Sequence, residues 1–495
     1  MRKYIGITIG PIFDTIMDAS SPAAMWFGSF LFSDITRRLC EEITKAFATV
    51  EIYSPYYTDQ VAISEDGVGK FHDRILFSVD EGNEEVGIKL DQMILKVKLD
   101  TAEYFDKIPD YDDQKTKQFL EDYLQIHYVI EDEMKGKNII LDLSDQLSAL
   151  ELIKTFPENN SDNPITKLML GYESGRNELI KNSRLYAGIK DKDQLEERGS
   201  IRTIEQIASV PNDSNLKLYK YFAVVNVDGD RMGQALQNLD NDKLNGFSES
   251  LFRHASNASA RIMEFGGMTI YAGGDDLLFL APVIGKNGSS IFTLCDEIQK
   301  EFRNEMKDVC IPVPTLSFGI GIVYYKYPLY EAMALSRQML QESKRDAEKK
   351  NATSVQLQKH SGQTLKIKLS NEKLETMDQF LKLGAKSENV HTAETLHSMI
   401  YAVEEFRPLY ELMIRETIEK KQELRCFIEL WGHLFDNSDQ KKYQAYIDEI
   451  VTFFYHELIH TESPLIEVTD EGGVYVISTL LRLKKFFEEK GDEIE

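Results

Sequence analysis

Three aspartates, Asp228, Asp275 and Asp276, each lie next to or within one residue of glycine, and their types and spacing are suited to chemistry. In Tyr271-Ala272-Gly273-Gly274-Asp275-Asp276-Leu277-Leu278-Phe279-Leu280, two adjacent carboxylates follow two glycines and precede a nearly pure apolar run. That pattern places the acids at the tip of a strand-turn-strand unit. Gly273 and Gly274 permit the positive φ that a tight turn needs and carry no side chain to hold a ligand off the backbone, so a polyphosphate and its metal ions can come close. Upstream, Asp228-Gly229-Asp230-Arg231-Met232-Gly233 ends the apolar run of residues 221–227, which reads as a buried strand. Three carboxylates from two neighbouring strand ends suit hard divalent cations, Mg²⁺ or Mn²⁺, because these ions take oxygen ligands and few His or Cys are nearby. Two such ions about 3.5–4 Å apart activate a ribose hydroxyl and stabilise a departing pyrophosphate. A lone Gly-Gly-Asp-Asp also occurs in ordinary solvated turns, so the reading depends on the surrounding elements.

Those elements follow a definite order. A helical pattern over residues 244–265 separates the two acid clusters, and a helix over 289–306 and a strand over 315–325 come after them. Strand, helix, strand, strand, helix, strand is the ferredoxin-like split unit, whose first and third strands are central. That order lays Asp228 beside Asp275 and Asp276. Residues 1 to about 150 read as a second copy, with strands over 4–9, 49–53, 74–79 and 126–130 and helices over 23–47 and 114–125. Ser20-Ser21-Pro22 reads as the start signal of the first helix. This copy lacks a Gly-Gly-Asp-Asp hairpin, so its expected role is to pair with the active copy and form the far wall of a nucleotide pocket. Residues 139–217 are polar and broken, with the clearest loop signal at 157–164. Helical periodicity returns over 374–383, 392–406, 409–434 and 441–460.

Composition narrows the function classes. A chain of 495 residues with 42% hydrophobic content has room for about three domains and large cores. Its 57 basic and 82 acidic residues leave a net charge of −25, which disfavours a broad nucleic-acid grip by this chain alone. Any RNA would be held by partner subunits. Cys40, Cys295, Cys310 and Cys426 are far apart, with no zinc-knuckle or disulfide spacing, and fit a reducing cytoplasm. No apolar run approaches the roughly 20 residues of a membrane span, and the N-terminus leads into a strand pattern, so the expectation is a soluble intracellular protein. His456-Glu457-Leu458-Ile459-His460 has the zincin spacing, but its candidate third ligands, Glu467 and Asp470, lie beyond Ser463-Pro464. An ordinary helix end accounts for it better. His72-Asp73 opens an apolar strand with no clustered histidines and reads as a strand-edge pair.

Residues 224–233, 271–276, 316–322 and Tyr327-Pro328-Leu329 together resemble the second palm domain of the large subunit of type III CRISPR effector complexes, in the Cmr lineage of the Cas-ten family. Ile7-Thr8-Ile9-Gly10-Pro11-Ile12 and residues 25–33 resemble the start of the first, degenerate palm. The resemblance implies an α+β chain: a degenerate palm at 1–138, an insertion at 139–217, a catalytic palm at 218–370 and a C-terminal helical domain at 371–495. It implies Asp228, Asp275 and Asp276 as catalytic and metal-binding residues, with Gly229, Asp230, Gly273, Gly274, Ser317 and Lys344 near the nucleotide. The lysine is expected from a helix over 329–350 whose last turns carry Lys344, Arg345, Lys349 and Lys350. Other Cmr-type subunits, guide RNA and target RNA are the implied partners. The implied activity is conversion of ATP, when target RNA is bound, into a cyclic oligoadenylate or a related messenger; some members instead join AMP to S-adenosylmethionine. Two departures from the family pattern stand out. No cysteine occurs between Cys40 and Cys295, where many relatives bind zinc, and the chain begins at the palm, so no built-in single-strand DNase is expected. Two rival readings are a free-standing diguanylate-cyclase-like enzyme and a scaffold subunit whose acids are relics.

Overall fold

The computed structural model describes all residues except 1, 59–66, 109, 135, 137, 156, 158–162, 171–179, 181–182, 188–202, 210–216, 347–349, 385–391, 421–422, 434–442, 467–471 and 489–495. Strands β1 (Lys3–Gly10), β2 (Glu51–Ser54), β3 (Arg74–Val79) and β4 (Gln125–Glu131) form an antiparallel sheet in the order β2-β3-β1-β4. Strands β5 (Tyr221–Asp230), β6 (Met268–Gly273), β7 (Asp276–Pro282), β8 (Thr315–Tyr324), β9 (Ala352–Gln358) and β10 (Thr364–Ser370) form a second sheet in the order β10-β9-β8-β5-β7-β6. In both sheets the first and third strands of a split unit are central and antiparallel. The fold is therefore α+β, with the palm topology present twice.

The main helices are α1 (Pro22–Ala46), α2 (Asn83–Thr101), α3 (Asp113–Tyr123), α4 (Ile139–Leu150), α5 (Asn241–Phe265), α6 (Ile291–Met306) and α7 (Leu329–Lys344). Ser21 starts α1 by accepting the Ala24 N–H at 3.2 Å, with Pro22 in the first turn. Gly266, at φ 104°, ends α5 where a left-handed residue is required. Strand β5 is apolar on both faces because both are covered. Phe222 and Val224 join the core containing Trp26 and Phe27, whereas Ala223, Val225 and Val227 face Leu244, Phe292 and Phe302 of α5 and α6.

The two palms interlock reciprocally. Helix α1 of the first packs on β6 of the second, and α5 of the second packs on β2 of the first. Ser248 Oγ donates to the Tyr53 carbonyl at 2.6 Å, and the Ala272 N–H donates to the Gly69 carbonyl at 3.2 Å. The buried Asn138 caps α4 through the Leu141 N–H and donates its amide to the Leu236 and Leu239 carbonyls at 2.8 and 2.7 Å.

Several elements differ from the sequence reading. Helix α7 stops at Lys344, and the chain turns into the β9–β10 hairpin, whose first strand runs parallel to β8. The single helix expected over 409–434 is two, Arg407–Lys420 and Leu424–His433. Helices α2 and Gly473–Glu488 add to the elements expected from the sequence. Most of the 157–164 loop lies outside the described residues. The described parts of the 139–217 region include Ile165, Leu168 and Tyr186, which are buried against the first palm, with Tyr186 edge-on to Trp26 at 6.0 Å.

Candidate active site

Strands β5 and β7 are antiparallel neighbours with Val227 opposite Leu277, so Asp228 and Asp276 emerge at the same end of the sheet. Asp228, Asp275 and Asp276 each offer an oxygen within 4.8 Å of the others, and no other group of three potential metal ligands occurs among the described residues. Glycine makes this convergence possible. A Cβ on Gly229 would lie 2.3 Å from an Asp275 carboxylate oxygen, and one on Gly273 would lie 2.0 Å from the Tyr271 hydroxyl. Gly274 carries the hairpin turn at φ +72°.

Burial and the crowding of charge shape the electrostatics of this corner. Burial raises the Asp275 carboxyl above its ordinary range, with Asp230 adding repulsion against the Asp275 and Gly229 N–H donors. Asp276 is raised well above that range by the protein mass around it, then by Asp275 and by Asp73 of the first palm, although its side chain reaches solvent. Lys344 Nζ forms an ion pair with Asp228 and donates to the Gly229 carbonyl at 2.8 Å. Burial, then Lys350, lowers the Lys344 ammonium to about 8. An ammonium on one of three converging carboxylates, all hard oxygen donors, fits a pair of divalent cations at this corner.

Helix α7 is held close enough for that contact by the glycines of β8. A Cβ on Gly319 would stand 2.1 Å from the Leu340 nitrogen and 2.3 Å from the Ser336 carbonyl, so helix and strand touch backbone to backbone. Asn226 of β5 adds a 2.6 Å hydrogen bond to Ser336 Oγ.

Two expected nucleotide contacts are corrected. Asp230 is fully buried, and its oxygens accept from Ser317 Oγ, Thr315 Oγ1 and the Asn351 N–H, all at 2.9 Å. Ser317 is itself buried and committed to Asp230, so the pair braces the ends of β5 and β8 and neither side chain is open to a nucleotide. Among the described residues the zincin pentapeptide belongs to no group of three potential metal ligands; Glu457 pairs with Lys373 at 3.1 Å, and His460 stacks on Tyr455. Glu467 and Asp470 lie outside the described residues, as does Lys349.

Asp228 and Asp276 line a cleft of about 540 Å³ between the palms, within the range of small-molecule sites. The first palm contributes residues to it that sequence reasoning did not assign to the site. The Ile9 N–H donates to the Asp73 carbonyl at 2.8 Å and Thr8 faces Arg74, which places Asp73 immediately before β3, much as Asp276 stands at the start of β7. The His72-Asp73 dipeptide was the available signal, obscured by the absence of paired glycines. Phe13, His127 and Arg337 also line the cleft.

Residues 221–354 match the family described as Cas10/Cmr2, second palm domain, and residues 4–122 match CRISPR-associated protein Cmr2, N-terminal. A curated relative, the CRISPR system Cmr subunit Cmr2 of Pyrococcus furiosus, is 25% identical over 218 residues, which are 39% of this chain and 23% of that protein. The chain thus matches less than a quarter of that relative's length. Among solved structures, the type III-B Cmr-beta apo state superposes with a TM-score of 0.58 at 11% identity, covering 99% of this chain and 82% of the other. Cmr-beta bound to cognate target RNA gives 0.54 at 11% identity over 98% and 83%. The Csm1-Csm4 cassette in complex with cA4 gives 0.53 at 14% identity over 98% and 69%. These structural likenesses establish the shared fold.

Proposed function

The chain belongs to the Cas10/Cmr2 family, and from that premise we propose that it is the large subunit of a type III CRISPR effector complex and joins ATP into a cyclic oligoadenylate by nucleotidyl transfer. One observation carries the reading: three carboxylates lie within 4.8 Å of one another at adjacent strand ends, and two of them, Asp228 and Asp276, line an inter-palm cleft large enough for nucleotide. Solved relatives of the same fold include Csm1-Csm4 cassettes in complex with AMPPNP, pppApA and cA4.

Asp228, Asp275 and Asp276 would hold two Mg²⁺ or Mn²⁺ ions, which supply Lewis-acid activation of the attacking hydroxyl and charge neutralisation on the pyrophosphate. The chain's own part is positioning. Gly229, Gly273 and Gly274 would let the triphosphate approach the backbone, and Lys344, which α7 holds beside Asp228, would be placed to donate to a phosphate oxygen. The neighbouring first palm forms the other wall of the cleft. Other Cmr-type subunits, with guide and target RNA, are the proposed partners, in keeping with the acidity of this chain and with the Cmr-beta relative bound to target RNA. S-adenosylmethionine is the alternative acceptor of the adenylate.

Incubation of the assembled complex with target RNA, Mg²⁺ and labelled ATP, with and without S-adenosylmethionine, tests this by mass spectrometry of the products. Wild type forms an oligoadenylate or S-adenosylmethionine adduct that the Asp275→Ala/Asp276→Ala variant does not form. Equal product profiles would instead favour the scaffold role, in which the acids have no chemistry. Activity of the isolated chain without RNA would favour the free-standing cyclase.

A further inference from the structure

The cleft is rich in acid, and its cations are few. Lys154 is paired with Asp14 at 3.1 Å. Arg337 has no carboxylate partner among the described residues; its guanidinium lies 4.3 Å from the centroid of the Phe13 ring, which the first palm presents half-exposed at the cleft mouth. A guanidinium seated over an aromatic ring, with no carboxylate paired to it among the described residues, leaves its N–H donors open to an anion.

Its position fixes which anion. Arg337 and Lys344 are seven residues apart on α7, so they share one face of the helix, about 10 Å from each other along its axis. Leu340 between them also lines the cleft. Lys344 serves the corner where the three aspartates converge, which takes the triphosphate of the ATP that donates its adenylate. The attacking hydroxyl must sit at that same corner, and it belongs to a second nucleotide whose 5′ phosphates extend away by the length of a nucleoside. Resting on the function proposed above, we propose that Arg337, braced by Phe13, is the positioning residue that holds the 5′ phosphates of the acceptor nucleotide. This assigns the two palms a joint task, since the cation comes from one and its aromatic support from the other.

The test separates donor from acceptor. The assembled complex with target RNA receives labelled 3′-deoxy-ATP, which can give an adenylate but lacks the attacking 3′ hydroxyl, together with either ATP or adenosine as acceptor. Wild type uses ATP at least roughly tenfold better than adenosine, as loss of a charge-assisted contact predicts. In Arg337→Gln the ratio falls below about threefold, through a higher KM for acceptor ATP, and Arg337→Lys recovers part of it. A ratio unchanged in Arg337→Gln overturns the assignment, and so does a parallel fall with both acceptors, which marks a purely structural role. Absence of labelled product in wild type counts against the proposed function instead. Arg337 is then decided by equilibrium titration of ATP in Ca²⁺, where two ATP per chain in wild type and one in Arg337→Gln support the assignment, and equal stoichiometry overturns it.

Discussion

At the scale of single residues, the site crowds carboxyl groups where their ionisation is disfavoured. Asp275 and Asp276 keep their protons to a higher pH in the folded protein than in the unfolded chain, because burial disfavours both carboxylates, with repulsion from Asp230 on Asp275 and from Asp275 and Asp73 on Asp276. Between the ordinary carboxylate range and those raised values the folded state therefore binds more protons, and stability falls as pH rises through them. Asp276→Asn removes one charge of the pair and keeps the shape. In metal-free protein its thermal midpoint should match wild type near pH 4 and exceed it at pH 8, by on the order of 2 °C. Mg²⁺ should raise the wild-type midpoint at pH 8 and narrow that gap. Scanning calorimetry at the two pH values, with and without Mg²⁺, checks both signs, and a variant less stable than wild type at pH 8 would contradict the account.

Secondary-structure elements carry the residues to their places, and here small side chains matter more than large ones. Helix α7 can set Lys344 on Asp228 only because Gly319 lets its backbone touch β8. Gly319→Ala would put a methyl 2.1 Å from the Leu340 nitrogen, which cannot swing aside as a side chain could. The expected cost is about 3 kcal/mol in urea unfolding. Adenylate transfer should also fall at temperatures where the variant remains folded, because both cations of the helix face move together. The same elements show what was legible in the sequence. Strand β3 was read with its true ends, and the order that brings Asp228 to Asp276 followed from apolar runs and turn glycines, both local signals. The β9–β10 hairpin was hidden because Lys349 and Lys350 continue the charge pattern of the preceding helix. The commitment of Ser317 to Asp230 was hidden for another reason: a buried carboxylate satisfied by three donors depends on long-range packing, which no local pattern records. Asp73 entered the cleft through the register of β1 and β3, a relation between strands about sixty residues apart.

In the molecule as a whole, neither palm owns a core. Phe222, Val224, Leu278 and Leu280 of the second palm belong to the cluster built around Trp26 of the first, while Tyr53 and Leu76 of the first belong to the cluster that runs through the second palm to Trp431 and Phe486. Tyr221 meets the Phe486 ring edge-on at 4.9 Å, tying β5 to the last helix. Chains of this size ordinarily unfold in stages, domain by domain. Cores shared in this way oppose that, because freeing one palm exposes apolar surface of the other. The chain has two tryptophans, one in each cluster, so Trp26→Phe and Trp431→Phe variants each leave a single fluorescent reporter. Their urea transitions should coincide. Asn138→Ala, which removes the cap of α4 and two hydrogen bonds to buried carbonyls across the palm junction, should lower both midpoints together, by about 3 kcal/mol in unfolding free energy. Separate midpoints for the two reporters, or a shift confined to one, would mean that the palms are independently stable; the cleft between them would then owe its shape to partner subunits and not to this chain.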